Sequence, residues 1–376
     1  MTSRIEPIVK WPGGKQGELD LLLTDFPKRI ENYFEPFLGG GAVYLTIPSH
    51  TPAFVNDLST DLISLYRHIA ENDFTFFSTL ENIDTIWLML QNIIETNRTN
   101  LLDIFEQYRF LKINDNELTQ RVDNFVLELQ QDSTLSISTC FGHDEPRFFV
   151  EARRTLNDKI KRTHRLEKQR GTLSNKDICD NLEGALKAAF YTYLRYLYNH
   201  SNYYHLSLGQ HSAIFYFLRE NAYGAMFRFN NQGHFNIPYG GISYNRKSLK
   251  TKIDRMKSPE LQDRLKKTVI ENLDFWDFLK EYPPQKGDFV FLDPPYDTEF
   301  SSYDQNPFGK ADQARLAQYL IHECKANFML VIKSTEYILS LYGGQNMNVK
   351  PFDKTYLYTV KERNNREVTH LKITNY

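Results

Sequence analysis

Short apolar runs, each closed by turn residues, mark the first seventy positions of the chain. Tyr33-Phe34 leads into Gly39-Gly40-Gly41, and Pro52 to Val55 leads into Asn56-Asp57. A brief apolar run bounded in this way reads as a buried strand ending in a loop. The segments that follow, Ala42 to Thr46 and Leu58 to Ala70, have helical spacing. Strand, loop and helix in alternation predict a parallel α/β sheet. The strand pattern returns at Asp288 to Leu292 and at Phe328 to Ile332, and the tail from Thr355 to Tyr376 alternates like a closing hairpin.

Between these ends the period changes. Residues 71–185 are mostly polar, have almost no Gly or Pro, and predict a helical insertion. Within it, residues 81–145 hold 12 acids against 4 bases, whereas residues 153–170 hold 8 bases against 2 acids. That reversal suggests one basic face; the plainer alternative is a pair of solvated, charged helices. Residues 186–225 are crowded with Tyr and Phe at a spacing that fits a helix core better than a base-stacking platform. Residues 226–244 read as a loop or hairpin, with turns at Asn231, Gly233, Pro238, Gly240 and Gly241. Residues 242–267 then carry nine Lys or Arg against three acids.

A net charge of −2 over 376 residues supplies no global field toward nucleic acid, so any basic surface must be local. The 41% hydrophobic content suffices for a sizeable core. Cys140, Cys179 and Cys324 are odd in number and far apart, which suggests reduced thiols in a cytoplasmic protein rather than a disulfide framework or a zinc site. No metal-ligand cluster is predicted. The N-terminus lacks the apolar run of a signal peptide, and no stretch of 18 apolar residues predicts a membrane span.

The sharpest chemical signal is Asp293-Pro294-Pro295-Tyr296, directly after the apolar run 289–292. It falls at the carboxyl end of a strand, where open α/β sheets bind ligands. Asp293 offers an acceptor, the two prolines remove N–H donors and leave carbonyls, and Tyr296 offers a flat face. Together they suit an exocyclic amine on a flipped base. Phe37-Leu38-Gly39-Gly40-Gly41 follows a strand and lets backbone approach a ligand closely, although glycines serve any tight turn. Asp57 ends the next strand, where doubly wound folds bind ribose hydroxyls; a helix N-cap is the structural alternative. Lys10-Trp11-Pro12-Gly13-Gly14-Lys15 lacks the spacing and final Ser or Thr of a P-loop, and suits closure over a small ligand.

These motifs, in this order, resemble the Dam-like class of N6-adenine DNA methyltransferases. KWPGGK is similar to that family's N-terminal signature, FLGGGAV to its glycine motif, VNDLS to its acidic ribose motif and FVFLDPPY to its catalytic strand and loop. MFRFNNQGHFNIPYG is similar to the opening of its target-recognition region, and NNREVTHLKITNY to its C-terminal hairpin. The resemblance implies a doubly wound mixed sheet of the S-adenosylmethionine-dependent methyltransferase fold. It implies that Trp11, Lys15, Asp57 and Asp293 contact the cofactor S-adenosylmethionine, with Phe37, Gly39 and Gly40 at the adenosyl pocket. It also implies that Asp293 to Tyr296 hold the target adenine. The chain departs from the family at Glu220, where other members are basic or aromatic.

The expected organisation is therefore a catalytic domain of residues 1–70 and 268–376, a helical insertion 71–185 and a target-recognition region 186–267. Double-stranded DNA is the expected partner. Arg246, Lys247, Lys250 and Lys252 are candidates for its phosphates. Arg228, Asn230, Asn231, Gln232 and Asn245 are candidates for its bases, since Arg suits guanine and Asn or Gln suits adenine. A cytosine-N4 methyltransferase and a catalytically silent DNA-binding relative remain as alternatives. Whether the enzyme acts alone or beside a restriction endonuclease is open in the sequence.

Overall fold

The computed structural model describes residues 6–132, 142, 144–295, 308–355 and 367–376. The chain forms two compact units. One comprises Met1–Asn72, Phe227–Gly233 and Met256–Tyr376, and the other Asp73–Met226 and His234–Arg255.

The first unit holds a seven-stranded sheet: β1 (Tyr33–Glu35), β2 (Ala53–Asn56), β3 (Thr268–Glu271), β4 (Phe289–Leu292), β5 (Asn327–Lys333), β6 (Asn348–Thr355) and β7 (Glu367–Thr374). Their spatial order is β3-β2-β1-β4-β5-β7-β6. The first five run parallel. β7 lies antiparallel between β5 and β6, which makes the sheet mixed. From β1 the chain winds outward through β2 and β3 on one side, and β4 and β5 lie on the other. That reversal between β1 and β4 is the topological switch point of a doubly wound sheet, where ligands bind outside the strand ends.

Local sequence accounts for most of these elements. Phe289-Val290-Phe291-Leu292 has no polar position and is buried throughout, as a central parallel strand requires. Along β5, Phe328, Leu330 and Ile332 share one face and pack with Phe278 and Leu279, Leu316 and Leu320, and Ile338. Those partners come from three helices whose ranges follow below. Helix α1 spans Leu19–Leu23 and α2 spans Thr60–Ala70. α2 is capped by Ser59, whose side chain accepts from the Leu62 N–H, and it buries Leu62, Leu65, Tyr66 and Ile69 on one stripe. The helix expected at Ala42 to Thr46 is only a 3₁₀ turn, Tyr44–Thr46: Ile47 must be extended ahead of Pro48.

The second unit is helical, as residues 71–185 predict. It contains α3 (Phe74–Thr96), α4 (Arg98–Arg109), α5 (Asp115–Gln131), α6 (Glu145–Arg170), α7 (Asn175–Asn199) and α8 (Leu208–Asn221). α9 (Lys250–Met256) follows, and then, in the sheet unit, α10 (Pro259–Lys266), α11 (Phe275–Glu281), α12 (Lys310–His322) and α13 (Glu336–Tyr342). The aromatic stripe 186–225 is helix core: Phe190, Tyr191, Tyr216 and Phe217 are buried on α7 and α8. The Trp87 ring meets Phe217 and Tyr239 edge-on.

Packing divides the middle of the chain differently from composition. α7 runs straight through the expected boundary at 185, because its apolar stripe continues on both sides of it. The last part of the basic run belongs to the sheet unit, where the α10 residue Arg264 is buried and donates to the Thr51 carbonyl at 2.8 Å. The basic stretch 153–170 answers nearby acids: Arg154 bonds Glu151, and Lys161 lies 3.0 Å from Asp115. The solvated, charged helix pair describes it better than an open basic face. Cys179 and Cys324 are free thiols, and burial pushes that of Cys324 up to about 11. Cys140 lies outside the described residues. Among the described residues no helix is long and apolar enough to cross a membrane.

Candidate active site

A cavity of about 580 Å³ opens at the switch point. Its volume falls within the usual range for small-molecule sites. Each element contributes its carboxyl end. β1 supplies Glu35 and the Phe37 to Gly40 loop, β2 supplies Asn56 and Asp57, and β4 supplies Asp293, Pro294 and Pro295. Trp11, Pro12, Gly13, Gly14 and Lys15 close one side. The sequence-predicted cofactor residues Trp11, Lys15, Phe37, Gly39, Gly40, Asp57 and Asp293 therefore all line one space. Tyr296 lies outside the described residues.

The glycine loop is fixed from two directions. The Gly39 N–H donates to Asp57 Oδ2 at 2.9 Å, and Asp57 Oδ1 accepts from the Ser59 N–H at 3.0 Å. Asp57 thus ties its own loop to that of β1, while Ser59 takes the helix-cap role. Gly39 has φ +51°, and a Cβ there would sit 2.8 Å from Trp11 Cδ1; one on Gly40 would sit 2.7 Å from the Val9 carbonyl oxygen. The N-terminal segment packs directly on the glycines, which is why larger residues do not fit.

Charge in the cavity is lopsided. Among the described lining residues, Glu35, Asp57, Asp61, Asp274 and Asp293 face one ammonium, that of Lys15, while Arg315 pairs with Asp274 at 3.1 Å. Lys15 is 2% exposed, forms an ion pair with the Asp293 carboxylate, and donates to the Gly13 carbonyl at 3.1 Å. Glu35 is 3% exposed and accepts from the Tyr33 hydroxyl at 2.6 Å. Burial holds the Glu35 carboxyl well above the usual carboxylate range, and the nearby Asp293 and Asp57 charges push the same way. Such a site favours a cation.

Sequence reasoning missed several wall residues. Glu35 was legible as an acid closing a strand before Pro36. Phe275 and Phe308 meet Phe37, each at 5.5 Å between ring centroids, and make an aromatic box at the far end. Asp274 caps α11 beside it, accepting from the Trp276 N–H; an acid followed by aromatics in LDFWDF was the available signal. Phe227 and Phe229 complete the wall. Gln313, fully buried on α12, donates Nε2 to the Pro295 carbonyl at 2.9 Å. No sequence signal marked it.

The DNA-facing candidates do not cluster as one set. Arg228, Asn230, Asn231 and Gln232 are exposed, and the Asn230 side chain accepts from the Gln232 N–H to shape the turn at Gly233. Arg246, Lys247 and Lys250 are exposed, with Lys247 over the Tyr244 ring. Asn245 departs from the base-reading expectation. It is buried, its amide donates to the Asp180 carbonyl at 3.0 Å, and its side-chain oxygen accepts from Tyr239 at 2.9 Å. Its polar groups are spent on anchoring the 239–249 loop. Lys252 forms an ion pair with the buried Glu220, so its charge is already balanced. Among the described residues no group of three or more His, Cys, Asp or Glu is placed to hold a metal ion.

Comparison with known proteins places the chain in a family. Residues 11–356 match the model of the D12 class N6 adenine-specific DNA methyltransferases. The type II methyltransferase M.CviBI of Paramecium bursaria Chlorella virus NC1A is 33% identical over 43% of this chain, which spans 60% of that enzyme's length. The type II methyltransferase M1.LlaDCHI of Lactococcus lactis subsp. cremoris is 21% identical over 99% of this chain and 96% of its own. The type II methyltransferase M.MjaIII of Methanocaldococcus jannaschii is 23% identical over 99% of both chains.

Proposed function

This chain belongs to the D12 class of N6-adenine-specific DNA methyltransferases, and on that premise we propose that its acidic cavity binds S-adenosylmethionine and presents the methyl group to an adenine flipped out of double-stranded DNA. The observation that carries this reading is the convergence of KWPGGK, FLGGG, Asp57 and Asp293-Pro294-Pro295 on one cavity at the switch point. The donor set fits the cofactor. Asp57 suits the ribose hydroxyls, the Phe37, Phe275 and Phe308 box suits the adenine ring, and Glu35 and Asp293 suit a ligand carrying a sulfonium and an ammonium. When bound, the cofactor supplies an electrophilic methyl carbon on a neutral leaving group.

The protein's task is then to present a poor nucleophile in line. The N6 lone pair of adenine is delocalised into its ring. Hydrogen bonds from N6–H to the Asp293 carboxylate and the Pro294 carbonyl favour a tetrahedral nitrogen. The Pro295 carbonyl already receives Gln313, which supports Pro294 as the second acceptor. Neither proline has an N–H to compete. Positioning of this kind can supply roughly 7–11 kcal/mol of barrier lowering. Flipping costs a few kcal/mol, which stacking offsets. Tyr296 remains the candidate platform.

Arg228, Asn230, Asn231 and Gln232 are proposed to face bases, and Arg246, Lys247 and Lys250 phosphates. The type II designation of the relatives supports a place beside a restriction endonuclease, and a site of action in the cytoplasm. The family sets aside cytosine N4 as the target, and the intact cavity argues against a silent relative. Transfer of labelled methyl from S-adenosylmethionine to unmethylated DNA, followed by nucleoside mass analysis, tests the reading. Label recovered as N6-methyladenine supports it; label on cytosine, or none, refutes it.

A further inference from the structure

The segment between the two halves of the sheet faces two ways. Along residues 227–230 burial alternates: Phe227 and Phe229 are half-buried and line the cavity, whereas Arg228 and Asn230 are exposed. That is the period of an extended chain, with successive side chains on opposite sides. The Phe227 ring lies 5.7 Å from Trp11 at 40° and 4.9 Å from Phe229, edge-on. Trp11 in turn rests on Gly39, close enough that no Cβ fits there. Phe227, Trp11 and Gly39 therefore form a stack that ends on the loop tied to Asp57.

We infer that Phe227 is a positioning residue that holds Trp11 down on the glycine loop, so that DNA engaged by Arg228 and Asn230 on the opposite face of the same strip tightens the hold on the cofactor. This rests on the reading that the cavity takes S-adenosylmethionine and that the exposed face meets DNA. Arg228 directly follows Phe227, so an ordering of Arg228 fixes the backbone that aims the ring. The coupling is reciprocal: bound cofactor, by seating Trp11 and Phe227, presents Arg228 and Asn230 in one arrangement. Phe229 extends the same wall and meets the Phe227 ring edge-on, so it supports the ring from the side.

The test is calorimetric titration with S-adenosylhomocysteine, which cannot turn over, with and without an unmethylated duplex of mixed sequence. In the wild-type protein DNA is expected to tighten S-adenosylhomocysteine by ~5-fold or more. In Phe227→Ala that ratio falls to one, while Phe227→Tyr, which keeps the ring, retains it. If Phe227→Ala fails to fold, Phe227→Leu fills the volume without a ring face and carries the same comparison. A wild-type ratio of one, or an unchanged ratio in the ring-less variant despite weaker binding, overturns the inference. Failure of the wild-type protein to bind S-adenosylhomocysteine at all overturns the cofactor reading instead, and the inference falls with it.

Discussion

Lys15 reaches across 278 positions to form an ion pair with Asp293 inside the cavity. The N-terminal loop and the loop after β4 are thereby held to each other, and the ammonium balances one carboxylate in a cavity that Glu35 and Asp57 also line. Removing one partner of such a pair takes from the other a charge that offsets its desolvation. Lys15→Met is expected to lower stability by about 3 kcal/mol and to reduce methyl transfer. A cationic cofactor would restore part of that loss. Thermal melting of the variant with and without S-adenosylmethionine measures both; a variant as stable as wild type without cofactor would contradict the pairing.

Asp293→Ala should abolish transfer; because it also takes the carboxylate from the buried Lys15, folding of the variant is checked by circular dichroism before transfer is read. Retention of more than about a tenth of kcat would put the contact below ~1.4 kcal/mol and remove Asp293 from the reaction. Because Asp293 also lines the cofactor cavity, S-adenosylmethionine affinity is measured alongside.

Asp57→Ala should weaken S-adenosylmethionine by roughly 1.5–3 kcal/mol, the worth of a hydrogen bond to a charged group, with a smaller effect on saturated turnover. Part of the loss would come through Gly39, whose N–H loses its acceptor. Unchanged affinity by calorimetry would leave Asp57 as a loop tie alone.

Glu35 makes the cavity sensitive to pH. Burial raises its carboxyl above the ordinary value, so the folded protein holds a proton that the unfolded chain has lost. The sign follows: stability is full below the unfolded value and declines as pH rises from there through the raised folded one. Glu35→Gln should flatten that decline in melting temperature against pH. A cationic ligand favours the ionised form, so S-adenosylmethionine binding to the wild type should release a proton that Glu35→Gln does not. Calorimetry in buffers of different ionisation enthalpy reads this directly, and equal proton release by the two proteins would discount Glu35.

Lys250 and Lys252 should behave differently although two residues apart. Lys250→Ala should reduce the salt dependence of DNA binding by about 0.9 for one lost phosphate contact. Lys252→Ala should instead cost stability, on the order of 3 kcal/mol, because the buried Glu220 loses the ammonium it pairs with. A changed salt slope for Lys252→Ala with unchanged melting would reverse the assignment.

The sheet was legible where strands are continuous and apolar, as at 289–292 and 327–333, because burial on both faces leaves one composition. β3 was not: Thr268-Val269-Ile270-Glu271 is a half-exposed edge strand that follows the charged helix α10 without a turn signal. The cavity's backbone motifs were legible because Gly, Pro and Asp recur together at successive strand ends, although each type alone also serves turns and caps. Its aromatic walls were not, since Phe227, Phe275 and Phe308 look like any core residue until the chain is folded. Asn245 misled because its residue type suits adenine, and only its three-dimensional neighbours reveal that its hydrogen bonds are already made.

The pairing of β1 with β4 also governs when the enzyme can first act during its own synthesis. Asn32 bonds Asp288, 256 positions later, and the parallel register beside it cannot form until β4 has left the ribosome. Contacts of such long range are slow to close. The helical unit is synthesised, and can condense, while the first two strands still lack their central neighbour. A chain truncated between Asp57 and Asp293 therefore carries the glycine loop, Asp57 and Lys15 yet lacks the loop after β4 that lines the cavity with them. Such a fragment is expected to transfer no methyl group, because Lys15, Asp57 and Asp293 all line the same cavity.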